Sequence, residues 1–399
     1  MRGREVSEFT CLTYCAIPYN GRGWTETCAN LLMNFPSAGI TPTLLLPRFT
    51  KPLPPSVNAL ESLPFPLSKL PWQIVSNIGL KKLNSLFRRQ ILMAAPETTI
   101  VYFWPGTPLA LVEETRKAGI LTVRQMINVF QGTAKALLDR AYSDLSLPDG
   151  CSITEHAISC EIEELGLYDY VLAPNPEVDR SLQVAGVPTA RIVPSSFGWS
   201  PARFNSKPRI REESRPLRFL FVGIACVRKG IPTLLDAWKN AGVSGELVIV
   251  GSVEPAIRDR LNAATREGSV RHVAFTDDLE QFYHNSDVFV FPTFEEGGPQ
   301  VTLEAGGCGL PVITTAMGAA RLVQHEVNGL IVEAGRVDDL AAAIQRITNS
   351  ATLRSEFSTQ IRQDAELFTY DKVSRSLGAT MVELLRARPF AGNKSAVSL

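Results

Sequence analysis

The chain has 399 residues, 45% of them hydrophobic and 20% charged, which is the balance of a globular protein and excludes an intrinsically disordered one. That length accommodates two domains of ordinary size. Lys plus Arg and Asp plus Glu are equal at 40 each, so no overall charge argues for a nucleic-acid partner.

The cysteines, Cys11, Cys15, Cys28, Cys151, Cys160, Cys226 and Cys308, are scattered, odd in number and without a CxxC pair. Such usage suits a reducing compartment better than a disulfide framework or a zinc site. The opening MRGREVSEFTCLTYCAIPYNG has too short an apolar core for a signal peptide and no small-residue cleavage pattern. No run of eighteen apolar residues offers a membrane span. The expected address is the cytosol.

Taken in order, FTCLTYCAI, a helix beginning near Trp24, and TPTLLLP open a βαβ unit. Residues 47–72 carry many prolines and read as an extended excursion or lid. NIGLKKLNSLFRRQIL (77–92) has apolar residues at helical spacing with Lys81, Lys82, Arg88 and Arg89 interleaved. It reads as a surface helix packing its apolar face on the first domain, with peripheral contact to anionic lipid as the rival. TIVYFW, a helix over 108–118, ILTVRQMI, YVLAP, a helix near 176–185 and RIVPSSF follow. The breaker-rich FNSKPRIREESRP (204–216) reads as an interdomain linker. The alternation then restarts with LRFLFVG, GELVIVG, VRHVAF, DVFVFP, PVITT and GLIVEAG, separated or followed by helices. Two such runs imply an α/β protein of two facing, doubly wound, Rossmann-like domains. The expected boundaries are 1–205 and 206–369, with a helix over 370–388 returning to the first domain and a frayed tail at 389–399.

The densest segment is FEEGGPQVTLEAGGCGLPVITT (294–315). It follows an apolar strand and reads as loop, helix, strand, with Pro299 as the first helical residue. Gly297 and Gly298 lack a Cβ and would let a ligand approach their backbone. The free N–H groups of the helix start favour an anion. Glu296 at the loop rim and Glu304 inside the helix are acceptor-only carboxylates, better matched to sugar or ribose hydroxyls than to phosphate. Phosphate flanked by hydroxyls describes a nucleotide sugar.

Glu296 and Glu304, with Gly297, Pro299, Ala305, Gly309, Pro311 and Val312 around them, resemble the signature of glycosyltransferase family 4, which has the GT-B fold. FLFVGIACVRKGIPTLLDAW (219–238) resembles the first βα unit of that family's second domain, and 164–204 the closing segment of its first. Together they cover most of 160–335, whereas the first 150 residues match loosely, through Gly21, Gly23 and the following helix.

The resemblance implies a retaining glycosyltransferase that uses a nucleoside-diphosphate sugar and a hydroxyl acceptor, in polysaccharide or glycolipid synthesis. It implies catalytic roles for Glu296 and Lys229. Lys229 would hold the donor diphosphate with Arg228 beside it, and Glu304 the ribose. The backbone from Gly297 and Gly298 through Pro299, Gln300 and Val301 would steady sugar and phosphate, and Gly23 would let the first domain's loop close. Neither metal nor cofactor is expected, because no Asp-x-Asp motif ends a strand. The chain departs from the family at Ile224, where an arginine is common, at Arg22 in place of a glycine, and in having His156 as the first domain's one histidine. Those departures keep a non-catalytic GT-B scaffold, binding a nucleotide sugar or a partner enzyme, as the alternative; a nucleotide-sugar epimerase of the same architecture is the enzymatic runner-up.

Overall fold

The computed structural model describes residues 8–148, 150–204, 215–276 and 278–388. The expected tail at 389–399, and all of the expected linker except Phe204, Arg215 and Pro216, lie outside the described residues.

Seven strands form the first sheet: β1 (Phe9–Tyr14), β2 (Ile40–Leu46), β3 (Asn58–Glu61), β4 (Thr99–Phe103), β5 (Leu121–Gln125), β6 (Tyr170–Ala173) and β7 (Ile192–Pro194). Six form the second: β8 (Leu217–Val222), β9 (Gly245–Val250), β10 (Val270–Val273), β11 (Val288–Phe291), β12 (Val312–Thr315) and β13 (Gly329–Val332). The orders are β3-β2-β1-β4-β5-β6-β7 and β10-β9-β8-β11-β12-β13, with every ladder parallel. Parallel strands covered by helices on both faces need near-continuous apolar sequence. TIVYF and VFVF supply it and are buried throughout. Strand order reverses beside β1 and beside β8, and ligands of open α/β sheets bind outside the carboxyl ends at such points.

The helices are α1 (Gly23–Leu32), α2 (Trp72–Met93), α3 (Leu109–Lys117), α4 (Gln131–Asp144), α5 (Glu155–Leu167), α6 (Pro176–Val184), α7 (Pro201–Phe204), α8 (Ile231–Ala241), α9 (Arg258–Arg266), α10 (Glu280–His284), α11 (Gln300–Gly307), α12 (Val337–Asn349), α13 (Ala351–Ala365) and α14 (Tyr370–Arg386). None among the described residues is long and apolar enough to cross a membrane.

The proline-rich 47–72 is not a free excursion. β3 pairs with β2 as an edge strand, where proline's missing N–H nearby is tolerated. Ser62 N and Leu63 N donate to Leu46 O and Pro47 O, and Arg48 Nη1 donates to Leu70 O at 2.6 Å.

α14 crosses back to the first sheet's helices. Asn34 N donates to Ser374 Oγ, which in turn donates to Leu31 O, both at 2.8 Å. Trp199 completes this seam. Its side chain is buried, its Nε1 donates to Ala365 O at 2.8 Å, and a Cβ on Gly307 would lie 2.5 Å from its ring. Trp199→Ala is expected to cost about 3–5 kcal/mol, the usual loss for a large buried aromatic, measured by urea unfolding; a loss under about 1 kcal/mol would mean the seam is not held there.

Candidate active site in the interdomain cleft

The site begins where β8 ends. Gly230 has φ +71°, and a Cβ there would lie 2.0 Å from Pro292 O, so only glycine brings this turn against the end of β11. The contact delivers the preceding Lys229 to the loop after β11. Lys229 is 9% exposed, its Nζ lies 5.2 Å from the Phe291 ring centroid, and it pairs with Glu296 Oε1. Burial, with the neighbouring Arg228 charge adding to it, pushes the Lys229 pKa down to about 7. Glu295 pulls the other way but less.

Glu295 is a buried carboxylate tied at both ends. It accepts from Arg228 Nη1 at 3.0 Å and from Val129 N, on the first domain, at 3.4 Å. Arg228 also stands 3.9 Å from Glu296. Two cations and two carboxylates therefore neutralise one another, which buried charges require. Neither Glu295 nor its pairing with Arg228 was a sequence expectation; the Glu-Glu doublet was the available signal.

The first domain takes the space in which the two loop glycines lack a Cβ. A Cβ on Gly297 would lie 2.0 Å from Ile127 O, and one on Gly298 would lie 2.4 Å from the Phe197 ring. The missing side chains admit the first domain's backbone and an aromatic ring on the side where each Cβ would stand. Pro299 stands one position from where it was expected: it is the N-cap of α11, and the helix starts at Gln300. The Gln300 side chain accepts from Thr27 Oγ1 at 3.0 Å and donates to Gly198 O at 3.4 Å, so it spans the domains.

Glu304 lies on α11 facing a cavity of about 360 Å³, shared with Gly23, Glu26, Arg203, Val301 and Tyr370. Its Oε2 accepts from Tyr283 Oη at 2.9 Å, a partner the sequence did not reveal. Burial raises the Glu304 pKa, and the Tyr283 hydrogen bond opposes the rise. Gly23, φ +63°, opens α1 with no atom within 4 Å of where a Cβ would be. The structure thus gathers Gly23, Val301 and Glu304 around one cavity, and Arg228, Lys229 and Glu296 in one ion-pair cluster. Ile224 is 52% exposed at the end of β8, and His156 is exposed on α5 with Cys160 Sγ 3.6 Å from its Nε2. Across the cleft, Trp24, Trp104 and Phe197 stack in a row, with centroids 5.8 and 6.4 Å apart.

Residues 216–350 match the family model described as glycosyl transferases group 1. The capsular polysaccharide biosynthesis glycosyltransferase CapM of Staphylococcus aureus is 32% identical over 155 residues, 37% of this chain and 40% of that protein. The chain spans less than half the length of the first curated relatives it matches, 46%, 40% and 46%. Sucrose-phosphate synthase from Thermosynechococcus elongatus superposes with a TM-score of 0.69 at 20% identity, over 95% of this chain and all of that one. HepE of Anabaena, solved in complex with UDP and glucose, superposes at 0.63 with 14% identity, over 94% of this chain and all of that one. Residues 216–350 are thus similar to a group 1 glycosyl transferase domain, and the chain has a two-domain GT-B fold.

Proposed function

We propose that the chain is a retaining, metal-independent glycosyltransferase of polysaccharide or glycolipid synthesis, acting in the cytosol. It moves a sugar from a nucleoside-diphosphate sugar to a hydroxyl of a saccharide or lipid-linked saccharide. The observation that carries this reading is the cavity lined both by Glu304 and by Gly23, the first residue of α1. A carboxylate there accepts ribose hydroxyls, while the helix start and Gly23 offer N–H groups to a phosphate.

Lys229 then takes the diphosphate and releases Glu296, whose carboxylate is free to accept from the donor sugar. The C1–O bond to the diphosphate breaks, and a C1–O bond to the acceptor forms on the same face. The acceptor proton passes to the departing phosphate. Lys229 and the helix N-termini meet the charge that develops on that leaving group, which is electrostatic catalysis. Arg228 stands where it could add charge that Ile224 does not supply. CapM acts in capsular polysaccharide synthesis, and HepE was solved with UDP; both support this reading. The Lys229–Glu296 pair and Ile224 favour, as a second reading, a protein that binds a nucleotide sugar without turnover.

Thermal unfolding with UDP, GDP, ADP and no ligand tests the donor site. One nucleotide at a hundredfold excess over its Kd is expected to stabilise by about 2.7 kcal/mol. Glu304→Ala is expected to abolish that shift while leaving the unliganded midpoint close to the parent's. If no nucleotide shifts the midpoint, the donor site is not where we place it. If a nucleotide binds and no sugar is transferred from its conjugates, the second reading stands.

A further inference from the structure

Helix α2 has two faces of different character. Val75, Gly79, Leu83, Phe87 and Ile91, each four residues apart, are buried. Phe87 meets Tyr14 edge-on at 5.4 Å, and Asn84 accepts from Tyr14 Oη at 2.7 Å. The apolar stripe of the helix therefore packs on the first domain, as expected of a surface helix.

The outer face remains unexplained by the fold. Ile74 is 70%, Ile78 45%, Leu92 86% and Met93 68% exposed, and Phe65, on the turn ahead of the helix, is 79% exposed. Helical spacing places Ile74, Ile78, Lys82 and Arg89 along one outward stripe. Single exposed apolar residues are ordinary, but Ile74 and Ile78 stand one turn apart and Leu92 recurs further along the same stripe, and apolar residues repeated along one charged face mark an interaction surface. The charge is of one sign. Between Ser62 and Pro96 lie five Lys or Arg and no Asp or Glu, in a chain that is neutral overall. Glu114 engages Arg88 at 2.7 Å; Lys69, Lys81, Lys82 and Arg89 have no ion pair among the described residues. The turn carrying Phe65 is pinned where it stands by Arg48, through Leu70 O.

We propose that the outer face of α2, with the Phe65 turn, docks on an anionic lipid surface. Phe65, Ile74 and Ile78 enter the headgroup layer, and the unpaired lysines and Arg89 meet lipid phosphates. An apolar stripe with cations beside it fits that interface. A second copy of the chain is disfavoured because a two-fold contact would bring the same unpaired cations face to face. The inference goes beyond the transferase reading and does not depend on it.

Co-sedimentation of the full chain with vesicles decides the matter. Binding is expected to vesicles of phosphatidylcholine with phosphatidylglycerol, and to be weak with phosphatidylcholine alone. Lys81→Gln with Lys82→Gln is expected to lower partition about thirtyfold, from roughly fivefold per cation near an anionic surface. Ile74→Ser with Ile78→Ser is expected to weaken it further at unchanged charge. All four positions are exposed, so the thermal midpoint and its shift with nucleotide should hold in both variants. Equal binding to both compositions, binding to neither, or a dimer that Ile74→Asp dissociates would each overturn the proposal, and none of these would touch the donor-site reading.

Discussion

Replacing Lys229 by alanine is expected to lower kcat/KM for the nucleotide-sugar donor by about 10²–10³-fold, the loss that follows removal of one preorganised group facing a developing charge. The expectation rests on position. Lys229 is almost fully buried and held against Glu296 by the turn at Gly230. Burial first, and the Arg228 charge second, bring its pKa down to about 7 in the free protein.

That displacement has two pH consequences of opposite sign. Between about pH 7 and the ordinary lysine range the unfolded chain holds a proton that the folded one lacks, so stability rises with pH across that window. Below about pH 7 the folded protein carries the whole cost of the buried charge. Donor affinity runs the other way. A diphosphate binds the protonated lysine, so affinity is expected to fall as pH climbs past about 7, towards tenfold per unit. A donor KM profile from pH 6 to 9 would show this slope in the parent, and Lys229→Ala would flatten it. An unchanged profile in the variant would remove Lys229 from the donor site.

The strands were legible because a parallel sheet needs uninterrupted apolar runs, and LRFLFV, GELVIV and VFVF announce themselves. β3 was not legible: NALE is short, half-exposed and set among prolines, and only its pairing with β2 makes it a strand. Within the site, local pattern placed Glu296 and Glu304 on a loop and a helix, but pairing across the sheet left no local mark. Lys229 meets Glu296, and Arg228 meets Glu295, over a separation of 67 residues in chain position. The glycines show the same limit. Sequence says that no Cβ stands at Gly297; it cannot say whether a ligand or another stretch of backbone takes the space.

The answer at Gly297 leads to the second large effect. Gly297→Ala is expected to lower kcat by about 10²-fold or more, the scale of losing reactive alignment by about 1 Å, with donor binding weakened but not lost. A Cβ there would lie 2.0 Å from Ile127 O, 2.1 Å from Ile127 C and 2.4 Å from Asn128 N. Those atoms are backbone, so no rotamer change relieves the overlap and one domain must recede from the other. Recession breaks the Val129–Glu295 and Thr27–Gln300 contacts across the cleft. Lys229 and Glu304 both belong to the second domain and keep their places. The start of α1 and Gly23 recede with the first domain, so the nucleotide-induced thermal shift should shrink without vanishing while small-angle scattering reports a larger radius of gyration.

Gly298→Ala provides the contrast, because its Cβ would meet the Phe197 side chain, 2.4 Å away. Trimming that ring with Phe197→Ala is expected to restore much of the activity lost in Gly298→Ala. No side-chain substitution at Ile127 can do the same for Gly297→Ala. Full turnover with an enlarged radius of gyration in Gly297→Ala would mean that the closed arrangement of the two domains is not the one in which sugar is transferred; an unchanged radius would mean that the overlap is relieved without the domains parting.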